Sequence, residues 1–269
     1  MKFRNAPLAR TVLLAGGLVV PVCARAQTES DSTFNPAPPD SIASYIPHSA
    51  PIESHAIRWY EPLAVVGGIG LLSALDQPVA DHFRFHRSTT GQNVADTWAR
   101  VGTPIFYAPV TLGVITGGLI SRNREVTQTG MRLAFSLLLA GVADQGLKMV
   151  FGRERPDANF GAFDFDPIHP DAAFPSGHTA MAFAMATSLA DDLHPTWAKV
   201  GLYGLATGVA VSRVYQQRHW MSDVLGGAVV GVASAKFVSG RWTIFGLRAP
   251  SFLIKGGAPA LGWQFSFHE

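Results

Sequence analysis

The chain has 269 residues, 48% of them hydrophobic and 15% charged, with a formal net charge of +2. That is enough apolar material for one sizeable core, and the near-neutral balance excludes a basic field for nucleic acid. Any recognition of an anion must therefore be local.

The start carries Lys2, Arg4 and Arg10, then an apolar run from Thr11 to Val22, then Ala24-Arg25-Ala26. A basic start, an apolar stretch and a small-x-small end form the pattern of a signal peptide, so residues 1–26 are expected to be removed on export. Cys23 is the single cysteine. It would leave with that segment, so the mature chain is expected to form no disulfide. A lipoprotein reading of Cys23 fits poorly, because Pro21 and Val22 precede it in place of small residues. Residues 27–57 carry Pro36, Pro38, Pro39, Pro47 and Pro51 and read as an extended leader.

Six apolar segments follow, near 60–75, 103–121, 131–151, 176–190, 197–212 and 223–239. They predict an all-α fold, a bundle of about six core helices over residues 58–240. The pairs Gly67-Gly68, Gly117-Gly118 and Gly226-Gly227 would let helices approach closely. In the tail, 241–269, Ser251 to Lys255 precedes Gly256-Gly257-Ala258-Pro259 and an alternating stretch through Trp263, Phe265 and Phe267. That pattern predicts a short C-terminal β-hairpin.

A membrane span needs about 20 apolar residues. Only Thr103 to Ile120 comes near that length without a charge. The connector from Arg122 to Arg132 holds Arg122, Arg124 and Arg132 and favours the cytoplasm, which sends the next helix outward. The expected location is the inner membrane with the site facing the periplasm; the alternative is a soluble periplasmic core. Six full spans after a cleaved signal would return the site to the cytoplasm. Either segment 60–75 does not cross, or the core is soluble after export.

Three short blocks carry the chemistry. Lys148 precedes Arg155-Pro156, then comes Pro175-Ser176-Gly177-His178, then Ser212-Arg213 with His219 and Asp223 close behind. Phosphoryl transfer places charge on equatorial oxygens, and a site lowers the barrier by placing donors there. Lys148, Arg155 and Arg213 are suited to that, arginine by its planar fork and lysine as a point charge. A helix opening at Ser176 would aim the amides of Ser176 and Gly177 at an anion, with His178 in the same turn. His219 and Asp223 are four positions apart, so a helix starting near His219 puts both on one face. A carboxylate on one ring nitrogen fixes the tautomer and frees the other to attack phosphorus. His219 is thus the candidate nucleophile, Asp223 its orienter, and His178 the general acid and later the base. No metal or other cofactor is required.

These blocks resemble the three signature motifs of the type 2 phosphatidic acid phosphatase superfamily, which also holds bacterial acid phosphatases and vanadium-dependent haloperoxidases. Lys148, Arg155, Pro156, Pro175, Ser176, Gly177, His178, Ser212, Arg213, His219 and Asp223 each fall on a motif position. The resemblance implies a helical fold and metal-independent hydrolysis of a phosphomonoester or diphosphate through a phosphohistidine, often with a lipid substrate. It implies lipid phosphate or another phosphoester as the partner, and vanadate as a cofactor only in the haloperoxidase alternative. A soluble broad-specificity acid phosphatase is the other alternative.

The remaining polar residues have plainer readings. Arg153 fits no motif position and reads as surface or rim. Asp144 lies one turn before Lys148, so it either pairs with that lysine or is a polar residue facing a helical interior. His82, His86 and His169 fall in loop-like stretches, with His169 near enough to line an entrance. The link 157–174 holds Asp157, Asp164, Asp166 and Asp171 with four phenylalanines. Such a loop either screens substrates or simply connects.

Overall fold

The computed structural model describes residues 54–158, 160–168, 171–193, 195–244, 247 and 249, and the backbone of strands β1 (Arg10–Leu14), β4 (Ser251–Lys255) and β5 (Ala258–Phe265). The rest of the expected signal peptide, nearly all of the leader, and His169 lie outside the described residues.

Eight α-helices are present among the described residues: α1 (Tyr60–Leu72), α2 (Asp76–Phe85), α3 (Thr89–Val101), α4 (Pro104–Ile120), α5 (Arg124–Phe151), α6 (Gly177–Asp192), α7 (Thr196–Tyr215) and α8 (Met221–Val238). Each of the six apolar segments forms a helix, which bears out the all-α expectation. The short, amphipathic α2 and α3 are additions. His82 is therefore helical and not in a loop, and its ring stacks on His86 at 4.4 Å. The segment from Arg124 to Arg132 is also helix, not connector. Asn123 starts it by accepting the amide hydrogens of Glu125 and Val126 at 3.0 and 3.2 Å.

Helix α6 is the centre of the bundle. Its alanines at 180, 182, 184, 186 and 190 are all buried, as expected of a helix covered on every side. Leu133, Leu137 and Ala140 of α5 pack on Ala184 and Met185, while Ala206 and Val209 of α7 pack on Ala182 and Ala186. On the side of α8, a Cβ added at Gly227 would lie 2.4 Å from the Ser176 carbonyl, and one at Gly231 2.3 Å from that of Ala180. The absence of side chains there sets the α6–α8 separation. Gly118 meets α5 at Thr127 in the same way, whereas Gly67, Gly68 and Gly117 face open space.

Helix α5 ends at Gly152, whose φ of +57° suits only glycine without strain, and its space is closed by the Asp166 backbone. This turn throws Arg153 and Arg155 back across the end of the bundle. The link 157–174 then returns to α6. In the tail, β4 pairs antiparallel with β5, the expected hairpin, and β1 adds to the other edge of β5. A two-residue parallel pair joins β2 (His55–Ala56) to β3 (Trp242–Thr243).

Four helical stretches are long and apolar enough to cross a membrane: Tyr60–Phe85, Thr89–Ile120, Arg124–Phe151 and Met221–Val238. The sequence reading admitted only one run near that threshold. Tyr60–Phe85 and Thr89–Ile120 each run through consecutive helices, and charges such as Asp76 and Arg100 interrupt their apolar runs in the sequence. Leu71, Ile105 and Ile120 are each more than 80% exposed, an apolar exterior suited to lipid.

Candidate active site

The end of α5, the start of α6, the end of α7 and the start of α8 meet at one end of the bundle. A cavity of about 1100 Å³ opens there, and Lys148, Arg155, Gly177, His178, Arg213 and His219 line it together. Most of its remaining wall is apolar and runs between α4 and α5, through Ala108, Leu112, Ile115, Leu137 and Leu138, with Met181 of α6 beside them. A smaller polar chamber of about 610 Å³ shares Arg155, His178 and Arg213 with it.

The cations are held from behind. The Lys148 ammonium donates to Asp144 Oδ2 at 2.6 Å and to the Pro175 carbonyl at 2.9 Å, so the pairing reading of Asp144 is the one realised. Arg155 donates to the Asp171 carbonyl at 2.9 Å and to its carboxylate. Arg213 donates through Nη1 to Gln216, and its buried Nε has no protein partner. Burial and the neighbouring Arg155 push the Arg213 guanidinium down to about 10.

His178 stands between the two chambers, in the first turn of α6. Burial, reinforced by Arg213, His219, Lys148 and Arg155, pushes its imidazole down to about 4. His219 is 3% exposed and stands just before Trp220, the N-cap of α8. Its Nδ1 lies 2.8 Å from the Ala173 carbonyl, so in that bond Nδ1 carries the hydrogen and Nε2 keeps its lone pair. Burial lowers its basicity, against the opposing pull of Asp223.

Two predicted site residues stand behind the cavity. Asp223 Oδ2 is 3.8 Å from His219 Nδ1, beyond hydrogen-bond reach, and accepts the Trp220 amide hydrogen at 2.8 Å as an N-terminal cap of α8. The main chain at Ala173, not Asp223, makes the direct bond to the ring. Ser176 is fully buried; its amide donates to the Asp223 carbonyl at 3.0 Å and its hydroxyl accepts from Thr179. Only Gly177 of that pair reaches the cavity wall.

Arg153 corrects the surface reading most sharply. It is 3% exposed and bonds Asp223 Oδ1 and Asp76 Oδ2, each at 2.7 Å, with Ser222 and the Ala162 carbonyl completing its shell. Asp76, from the unexpected α2, was not singled out in the sequence, where it is one acidic residue among apolar ones. In the link, Phe160, Phe163 and Phe165 are exposed, and Asp157 pairs with Arg218 at 3.0 Å on the rim of the polar chamber.

Residues 129–243 match the family model described as PAP2 superfamily. The expected resemblance is thereby borne out over the segment that builds the site. A lipid A 1-phosphatase of Porphyromonas gingivalis is 40% identical over 97 residues, covering 35% of this chain and 19% of that protein. A putative undecaprenyl-diphosphatase of Escherichia coli, YbjG, is 29% identical over 129 residues, covering 48% of this chain and 63% of that protein. The chain thus matches less than two thirds of the length of either relative. The crystal structure of a transmembrane PAP2-type phosphatidylglycerolphosphate phosphatase from Bacillus subtilis superimposes with a TM-score of 0.55 at 22% identity, over 67% of this chain and 95% of that one. That likeness is one of fold.

Proposed function

We propose that this chain is a membrane phosphatase that hydrolyses a lipid phosphate or diphosphate through a phosphohistidine on His219. The observation that carries the reading is the two-sided cavity, a cluster of cations and imidazoles at one end continuous with an apolar trough between α4 and α5. A lipid ester has the matching asymmetry, a charged head and a hydrocarbon tail. The family match and the phosphatase names of the relatives point the same way.

In this reading Lys148, Arg155, Arg213 and the Gly177 amide surround the phosphoryl oxygens. Nε2 of His219 attacks phosphorus as the ester P–O bond breaks. His178 delivers a proton to the leaving oxygen, which requires the imidazolium; a bound dianionic phosphate would raise its proton affinity from the low value of the empty site. Neutral His178 then takes a proton from water as that water attacks the phosphohistidine, releasing phosphate and restoring His219. No step calls for a metal or other cofactor.

The periplasm-facing orientation is supported by charge. Arg132 and Lys236 lie at the opposite end of their helices from the site, bound to Asp192 and Asp191 at the far end of α6, with Arg241 beside them. A cationic end favours the cytoplasm and leaves the site outside. His55–Ala56 pairs with Trp242–Thr243 at that same cationic end, so in this orientation the residues entering α1 start on the cytoplasmic side, and the proposal does not rest on a cleaved export signal.

Phosphate release from long-chain lipid monophosphates and diphosphates, set beside nitrophenyl phosphate with and without chelator, tests this. Preference for the lipids, unaffected by chelator and inhibited by vanadate, is expected. Equal turnover of the water-soluble ester would favour a broad acid phosphatase instead, and peroxide-dependent bromination a haloperoxidase.

A further inference from the structure

Behind His219, on the side away from the cavity, lies a buried ionic cluster that makes no hydrogen bond to Lys148, Arg155 or Arg213. Asp76, Arg153 and Asp223 are each no more than 3% exposed. The guanidinium of Arg153 bridges the two carboxylates, and Ser222 fills the angle between them, its amide donating to Asp76 Oδ1 at 2.8 Å. The Trp220 ring lies 5.5 Å from the guanidinium carbon.

The cluster reaches His219 by two routes. Along the main chain, the Arg153 carbonyl accepts the Ala173 amide hydrogen at 2.6 Å, and the Ala173 carbonyl accepts from His219 Nδ1 at 2.8 Å. Along the side chains, Arg153 holds Asp223 Oδ1 while Asp223 Oδ2 sits 3.8 Å from the ring and caps the turn that carries it. A buried ion triad is poor evidence for stability, since well-packed apolar side chains often do as well or better. What such a triad supplies is a fixed register between distant pieces of chain. Here those pieces are α2, the end of α5, the approach to α6 at Ala173, and the start of α8.

We propose that Arg153 and Asp76 are positioning residues that fix the angle and polarity of the His219 ring, acting through Ala173 and Asp223. The inference rests on His219 being the nucleophile. It assigns α2 a part in the reaction, although no residue of α2 lines the cavity.

A positioning role leaves a mark on pH dependence that a purely structural one does not. His219 feels Asp223 on α8, Asp144 and Lys148 on α5, His178 on α6 and Arg213 on α7. The triad contributes one positive and two negative charges. Removing the Asp76 charge makes the triad neutral and disfavours the imidazolium, so the acid limb of kcat/KM moves to lower pH.

The test uses the full chain purified in detergent, with Asp76→Asn, Arg153→Lys and Ser222→Ala made separately so that any folded variant suffices. Asp76→Asn and Arg153→Lys are each expected to lower kcat about 100-fold, because a small misplacement of the nucleophile is that costly, while KM and inhibition by inorganic phosphate stay within about twofold. Ser222→Ala is expected to lower kcat in the same direction, and Asp76→Asn to shift the acid limb down. Unchanged kcat per folded molecule and an unmoved limb, in any variant that folds, would overturn the proposal. His219→Ala is measured alongside. Turnover retained there removes the nucleophile assignment itself, whereas an inactive His219→Ala beside an unaffected Asp76→Asn removes only the positioning role.

Discussion

Nδ1 of His219 lies 2.8 Å from the carbonyl of Ala173 but 3.8 Å from the carboxylate of Asp223. The ring tautomer is therefore held by main chain, and the carboxylate acts by charge and by fixing the helix start. Asp223→Asn leaves the Ala173 bond in place. Its kcat loss is expected to stay well below the roughly 10⁴-fold seen when a sole orienting carboxylate is neutralised. Stability should fall by about 1–3 kcal/mol, because Arg153 and the Trp220 amide lose an ionised acceptor while Arg153 stays paired with Asp76. Denaturant unfolding and kcat measured on the same preparation separate the two effects.

Loss of a cradle cation has the opposite signature. Arg213→Ala removes a donor that faces the cavity with its Nε unpartnered by protein. Activity is expected to fall about 10²–10³-fold, with little change in melting temperature. Steady-state kinetics and a thermal melt check this; a large drop in melting temperature with full specific activity would contradict it.

The apolar trough makes a prediction about selectivity. Ala134 lines it on α5, and Ala134→Trp narrows the path of a hydrocarbon chain without touching the cations. kcat/KM for a long-chain lipid phosphate is expected to fall on the order of 10- to 100-fold, while nitrophenyl phosphate is spared. Parallel loss on both substrates would mean that the trough does not hold the tail.

The low proton affinity of His178 predicts acid sensitivity. Its folded-state value of about 4 lies below the ordinary 6.5. Between those values the unfolded chain binds more protons, so this group's contribution to stability is present above about pH 6.5 and lost as pH falls toward 4. His178→Gln should flatten the decline in melting temperature over that window. Inorganic phosphate should flatten it too, since a bound anion favours the imidazolium.

The cavity-facing side of the site was legible because Lys148, Arg155, His178, Arg213 and His219 fall in short blocks, each within a few residues of a helix end. The supporting side was not. The Arg153–Asp76 pair spans 77 positions, and nothing local marks Asp76 as its partner. Helix α2 was missed for a related reason: Asp76, Asp81 and Arg84 interrupt its apolar pattern, and their role is visible only once α7 and α8 pack beside it. The early start of α5 was hidden by polar first turns that read as a loop. Ser176 shows the converse, a motif position whose amide the fold spends on the Asp223 carbonyl.

The central claim is covalent, so the most direct measurement is to quench the purified chain in alkali during turnover of a radiolabelled lipid phosphate and map the label. An acid-labile, alkali-stable phosphate on the peptide containing His219, absent in His219→Ala, is the expected result. Undiminished phosphate release by His219→Ala would contradict the account.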